Sequence, residues 1–118
     1  YFTGADGRAY FQASDDAKPS TIAVRKAPAD GLTVVASQSH TSKKTEQYVG
    51  DLKVKKYIPA NSSLKFCMVA KGEADLYPRF GTTMEWDTAA GHALILAAGG
   101  TMTNPDGSSF LYGKPGFT

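Results

Sequence analysis

Apolar positions along this chain change their spacing several times, and each change marks an element. Aromatic-rich runs at Tyr1 to Thr3 and Ala9 to Gln12 flank Gly4-Ala5-Asp6-Gly7, and glycines there supply the positive φ of a tight turn, so the chain should open with an antiparallel hairpin. From Ala13 to Gly31 the sequence is polar and carries Pro19 and Pro28; this is a connecting region in which Ile22-Ala23-Val24 predicts one short strand. Leu32-Thr33-Val34-Val35-Ala36-Ser37 is apolar and β-branched, the pattern of a strand buried on both faces. Ser42 to Leu52 then reads as a helix and Lys53 to Ile58 as the next strand, with Lys53, Lys55 and Lys56 on its solvent side.

Two further helices follow. Ser62 is the expected N-cap of a helix running to about Lys71, with Leu64, Phe66, Met68 and Val69 as its apolar face and Gly72 as its stop. Asp75-Leu76-Tyr77 predicts a short strand. Glu85 to about Ala98 is the last helix, ended by Gly99-Gly100, and Trp86, Ala89, Ala90, Ala93, Leu94 and Ala97 form its expected apolar face. The string Thr82-x-x-Glu85 reads as a capping box in which Glu85 serves its own backbone. Thr101 to Thr103 and Phe110 to Tyr112 flank the turn Asn104-Pro105-Asp106-Gly107. Strands alternating with helices predict an α/β fold.

Composition narrows the function classes. The 118 residues lie in the size range of one domain, and 42% hydrophobic with 20% charged residues is ordinary for a globular protein with a core. The longest apolar stretch, Ala93 to Ala98, falls far short of the ~20 residues of a membrane span. A net charge of +2 is too small to predict a nucleic-acid polymer as partner. The single cysteine, Cys67, lies between Phe66 and Met68 and reads as a packing thiol. No basic start or apolar signal core is present, which leaves the cytoplasm as the expected compartment.

The residues that stand out chemically begin with Asp87. In Thr83-Met84-Glu85-Trp86-Asp87-Thr88-Ala89-Ala90-Gly91-His92 an acid meets the start of an alanine-rich helix. Such a carboxylate needs a cation, whether a metal, an arginine or the helix dipole itself; a metal is the preferred partner, and Mg²⁺ suits a hard carboxylate oxygen. Ser62 and Lys65 sit at a predicted helix start, where free N–H groups and a lysine one turn on suit a phosphate; an ordinary cap with a solvated lysine fits the same residues. Arg79, between Pro78 and Gly81, either offers a planar fork to phosphate oxygens or is a plain surface arginine. His40 follows the carboxyl end of the Leu32 to Ser37 strand, where α/β sheets tend to bind ligands, although a loop histidine is often merely exposed. His92 is expected to pack or cap. No nucleophile elbow and no glycine-rich phosphate loop occurs.

Three ordered strings, Asn61-Ser62-Ser63-Leu64-Lys65-Phe66-Cys67, Ala74-Asp75-Leu76-Tyr77-Pro78-Arg79-Phe80-Gly81-Thr82 and the Trp86-Asp87 segment, resemble the C-terminal half of the CysQ-type 3'(2'),5'-bisphosphate nucleotidases of the inositol monophosphatase-like superfamily. Ser37-Gln38-Ser39-His40 and the opening hairpin extend the resemblance backwards. It implies the C-terminal half of a layered α/β sandwich, with residues 1–31 the trailing hairpin and connector of an N-terminal metal-binding domain and residues 32–118 the C-terminal phosphatase subdomain.

The resemblance also implies a Mg²⁺-dependent phosphatase that takes the 3'-phosphate from adenosine 3',5'-bisphosphate. Asp87 would be a metal ligand that also meets substrate, and His40, Ser62, Lys65 and Arg79 would hold the nucleotide. The activating acids belong to an N-terminal half with a D-P-x-D-G-T string, which does not occur here; the chain is therefore expected to be a fragment, inactive alone. The alternatives are an inositol or sugar monophosphatase of the same superfamily and a non-catalytic phosphate-binding module.

Overall fold

The computed structural model describes residues 1–37 and 42–118. The hairpin forms as expected: β1 (Phe2–Thr3) pairs antiparallel with β2 (Ala9–Phe11). Gly7, at φ 78°, donates its N–H to the Gly4 carbonyl at 3.0 Å, and the Asp6 carboxylate accepts from the Arg8 N–H and the Tyr10 hydroxyl. A third strand, β3 (Ser20–Ile22), adds to β2. It ends two residues earlier than the apolar triplet predicts, because the Val24 N–H is taken by the Ala98 carbonyl at 3.0 Å and not by a strand partner.

The second layer is parallel. β4 (Leu32–Ser37) pairs with β5 (Val54–Ala60), and α1 (Lys43–Gly50) makes the crossover. Val34, Val35 and Ala36 are fully buried, as a strand covered on both faces requires. Lys53, Lys55 and Lys56 face solvent. The predicted strand at 75–77 is reduced to a parallel bridge between Leu76 and Val34, with Asp75 N–H on the Thr33 carbonyl at 2.8 Å and Val35 N–H on the Leu76 carbonyl at 2.9 Å.

Two helices pack together behind these strands. α2 (Leu64–Ala70) crosses α3 (Glu85–Ala97) where Gly91 faces the Phe66 ring. A side chain at Gly91 would put its Cβ 2.4 Å from that ring, so the close approach needs glycine. Ala9, Phe66, Ala70, Leu94, Ile95 and Ala98 form the core. Ala9 belongs to β2, so the opening hairpin and the later helices share one interior.

The helix phases differ from those the sequence predicts. Ser62 is not the N-cap of α2: it adopts a left-handed φ of 50°, Ser63 takes the cap position without a side-chain bond, and the helix begins at Leu64. That start leaves Leu64 50% exposed and turns Lys65 inward beside Phe66, which is buried as expected. In α3 the expected apolar face is largely outside, with Trp86 67% exposed and Ala89, Ala90 and Ala93 at the surface. Leu94 is buried as expected, together with Glu85, Thr88 and Ile95, which the predicted face leaves out. The cause is the crossing: the face that carries Gly91 is the one that Phe66 can reach.

Candidate active site

β4 ends beside a cleft of about 280 Å³ lined by Ser37, Thr45, Tyr77, Arg79, Phe80 and Thr82 among others. Its place at a carboxyl strand end is where α/β sheets leave room for ligands. One wall is the first turn of α1, where Ser42 caps the helix by accepting the Thr45 N–H at 3.2 Å. The other wall is the 77–82 loop, aimed by the pairing of Leu76 with β4. Pro78 is buried and Arg79 exposed. One Arg79 nitrogen, Nη2, donates to the Thr82 carbonyl at 3.2 Å, which closes the loop and, among the described residues, leaves most of a five-donor guanidinium for another acceptor.

The loop is held from below by an ion pair. Arg25 meets Asp75 with two nitrogens at 2.9 and 2.8 Å, and Asp75 also accepts the Thr33 N–H at 2.7 Å. The Asp75 side chain is 3% exposed. These donors hold its carboxyl below the usual aspartate range, Arg25 foremost.

Lys65 is only 2% exposed. Its Nζ donates to the Ala60 carbonyl at 3.2 Å and lies 5.2 Å from the centre of the Tyr77 ring. Burial, and then repulsion from Arg79, push its pKa down. Lys65 and Arg79 are thus electrostatic neighbours, one behind Tyr77 and one on the cleft wall.

Asp87, and not Glu85, takes the capping role at the start of α3. Asp87 Oδ2, not Glu85, reaches back to the start of α3, accepting the Met84 N–H at 3.2 Å with the Thr83 hydroxyl at 3.5 Å. Its other carboxylate oxygen has no hydrogen-bond partner among the described residues. Glu85 is buried and binds 28 and 29 residues away, accepting the Gly113 and Lys114 N–H groups at 2.8 and 3.0 Å. Those two bonds lower its pKa. Asp87 is exposed and offers one hard oxygen donor to a metal. Among the described residues, no group of three or more His, Cys, Asp or Glu side chains could hold a metal.

Ser62 is exposed just ahead of α2 and lines neither the cleft nor the groove described next. His40 lies outside the described residues. His92 packs as expected: its Nδ1 is 2.9 Å from the Tyr112 hydroxyl, and its ring meets Phe110 and Tyr112. Cys67 is free and half-buried, and burial pushes its thiol up.

The sequence reading missed a second, larger space. A groove of about 780 Å³ runs from α1 under the 77–83 loop to the 101–110 segment, and Arg79 borders both it and the smaller cleft. Lys44 and Tyr48 line its α1 end. Their i, i+4 spacing on a predicted helix was the signal that could have found them.

The parallel β4–β5 pair, its helical crossover and the cleft at the strand end define an α/β protein. The chain belongs to the inositol monophosphatase family, whose model matches residues 1–118. It is 43% identical over 89 residues to the 3'(2'),5'-bisphosphate nucleotidase CysQ of Buchnera aphidicola, covering 75% of this chain and 34% of that one. To the CysQ of Escherichia coli it is 38% identical over 111 residues, covering 94% and 44%. The crystal structure of CysQ from Bacteroides thetaiotaomicron, described as a bacterial member of the same family, superposes with a TM-score of 0.61 at 42% identity, over 75% of this chain and 36% of that one. The chain thus spans between 34 and 44% of the length of these relatives. No helix among the described residues is long and apolar enough to cross a membrane.

Proposed function

We propose that the complete protein is a Mg²⁺-dependent phosphatase that hydrolyses the 3'-phosphate of adenosine 3',5'-bisphosphate to AMP and phosphate. The observation that carries this reading is the exposed Arg79 on the cleft at the carboxyl end of β4, largely uncommitted among the described residues, eight residues before a carboxylate with one oxygen unpaired among those residues. Similarity to proteins named 3'(2'),5'-bisphosphate nucleotidase supports the choice of a bisphosphate substrate.

In this reading Arg79 binds phosphate oxygens with its planar fork. Lys65 adds positive charge from behind Tyr77, where the low dielectric makes that charge felt further than at the surface. Ser62, which lines neither space, and His40, between β4 and α1 in sequence, are given substrate contacts on the motifs they share with the nucleotidases. Asp87 is held by the Met84 N–H and directs its second oxygen outward, which suits it to be one ligand of Mg²⁺. A bound Mg²⁺ supplies charge that stabilises developing negative charge on phosphate oxygens. The remaining ligands and the activating acids are assigned to an N-terminal domain, to which residues 1–31 contribute the trailing hairpin and connector. Residues 32–118 form the C-terminal subdomain and are inactive alone.

The test is phosphate release by the complete protein with adenosine 3',5'-bisphosphate and inositol 1-phosphate side by side. The bisphosphate should be strongly preferred, Mg²⁺ should be required, and Asp87→Asn should lose about a hundredfold or more in kcat. Preference for the inositol ester would make the protein a monophosphatase of the same family. Metal-independent binding without turnover would make it a phosphate-binding module.

A further inference from the structure

We infer that Arg25 and Asp75 are a positioning pair: by tying the segment between β3 and β4 to the base of the 75–82 loop, they fix where Arg79 stands on the cleft. This rests on the reading of Arg79 as a phosphate-binding group, and it concerns a residue, Arg25, that lines neither the cleft nor the groove. Arg25 and Asp75 are 50 residues apart in sequence, and the Arg25 Nε and Nη2 meet the two Asp75 carboxylate oxygens at 2.9 and 2.8 Å. The same Nη2 donates to the Thr33 hydroxyl at 3.2 Å. Two parallel bonds fix direction as well as distance, which a lysine in that place could not do. The backbone that carries Arg25 is itself held. The Val24 N–H lies on the Ala98 carbonyl at 3.0 Å, and the Gly72 turn passes so near that a Cβ there would sit 3.2 Å from the Ala23 carbonyl oxygen.

The loop needs such an anchor because its backbone pairing with β4 is short. The Asp75 and Leu76 N–H groups lie on the Thr33 carbonyl at 2.8 and 3.4 Å, and the Val35 N–H on the Leu76 carbonyl at 2.9 Å; this is a bridge and not a ladder. The Tyr77 ring then packs edge-on against Phe66 at 5.2 Å, Pro78 is buried, and Arg79 follows. Arg79 is thus four residues from Asp75, and a shift at the loop's base is carried to its guanidinium. The Asp75 side chain is 3% exposed and that of Arg25 37%. Without Arg25, a buried carboxylate would keep the Thr33 N–H as its donor among the described residues. A buried charge stripped of its partner is costly enough to turn outward to water. Asp75 would take the start of the loop with it.

The test is a double-mutant cycle in the complete protein, read as kcat and KM on whichever of adenosine 3',5'-bisphosphate and inositol 1-phosphate the unmodified protein hydrolyses. Arg25→Met should raise KM about tenfold while kcat stays within about twofold, and Arg79→Ala should raise KM about tenfold or more. The double variant should have the KM of Arg79→Ala alone, because Arg25 acts through Arg79. A merely structural Arg25 would lower the melting midpoint and either leave KM alone or multiply its effect with that of Arg79→Ala. Multiplied effects would therefore overturn the pair's role, as would a parental KM in an active Arg25→Met or Arg79→Ala protein. Arg25→Lys keeps a cation beside Asp75 without the two-point bond, so it carries the same cycle if Arg25→Met fails to fold, with a rise of about threefold. Preference for the inositol ester defeats the nucleotidase reading while the cycle still decides the positioning. Turnover of neither ester overturns both.

Discussion

The first turns of α2 and α3 each carry a charged residue singled out by the motifs, and the structure treats the two charges in opposite ways. Asp87 stays at the surface, tied by one oxygen to the Met84 N–H. Lys65 is 2% exposed, with one carbonyl and one ring as its described partners. An exposed acid costs little and needs no functional explanation. A buried ammonium is penalised by desolvation, and its lowered pKa records that penalty. Of the two, Lys65 therefore makes the stronger physical case that something beyond folding retains it.

That contrast sets the largest expected effect. Lys65→Met keeps the length and packing of the side chain and removes the charge. The melting midpoint of the complete protein should hold or rise, because the desolvated ammonium is gone, while KM for the bisphosphate rises about tenfold. Lys65→Ala should add a cavity and cost about 2 kcal/mol or more. Kinetics and thermal melts of both variants decide the point. A Lys65→Met protein that is less stable but kinetically unchanged would make Lys65 a structural cation that holds Ala60 and Tyr77.

How far this was legible in the sequence depended on the range of the forces involved. β4 could be read directly, because six consecutive apolar or small residues leave a strand few other ways to be buried. The hairpin and the end of α3 were readable from glycines at positive φ, Gly7 and Gly99. The α/β class and the family motifs were legible for the same local reason. The phases of α2 and α3 were not, because they depend on one contact between helices, Phe66 on Gly91, that no periodicity within either helix encodes. The loss of the capping role by Glu85 has a similar origin: the donors that draw Glu85 inward lie at Gly113 and Lys114. Arg79 and Asp87 were legible as candidates, whereas the groove holding Lys44 and Tyr48 emerges only when α1 and the 77–83 loop are brought together.

The helix crossing is the next place to press. Gly91→Ala would set a Cβ 2.4 to 2.9 Å from three Phe66 ring atoms. Alanine favours the helix by about 1 kcal/mol over glycine, yet overpacking a close contact costs about 1–3 kcal/mol, so a net loss of roughly 1 kcal/mol is expected in denaturant titrations. Adding Phe66→Leu should recover part of that loss. A gain in stability from Gly91→Ala alone would mean that the helices can separate cheaply, and that the crossing does not set which first-turn residue is buried.

The smallest effect separates the two acids of α3. Glu85 has a folded pKa below its ordinary value of 4.5, held there by the Lys114 and Gly113 N–H groups, so its contribution is present above that value and is lost as pH falls below it through the folded pKa. Amide exchange at Gly113 and Lys114 should therefore show protection at neutral pH that weakens on acidification, after correction for the intrinsic pH dependence of exchange. Glu85→Gln should lower that protection severalfold at neutral pH and remove its acid dependence, because a neutral amide oxygen accepts more weakly and does not titrate. Asp87→Asn should leave both amides as they were, since the Asp87 bonds stay within its own helix start. If instead Asp87→Asn exposes Gly113 and Lys114, the two acids act as one unit, and the assignment of Glu85 to architecture and Asp87 to chemistry fails.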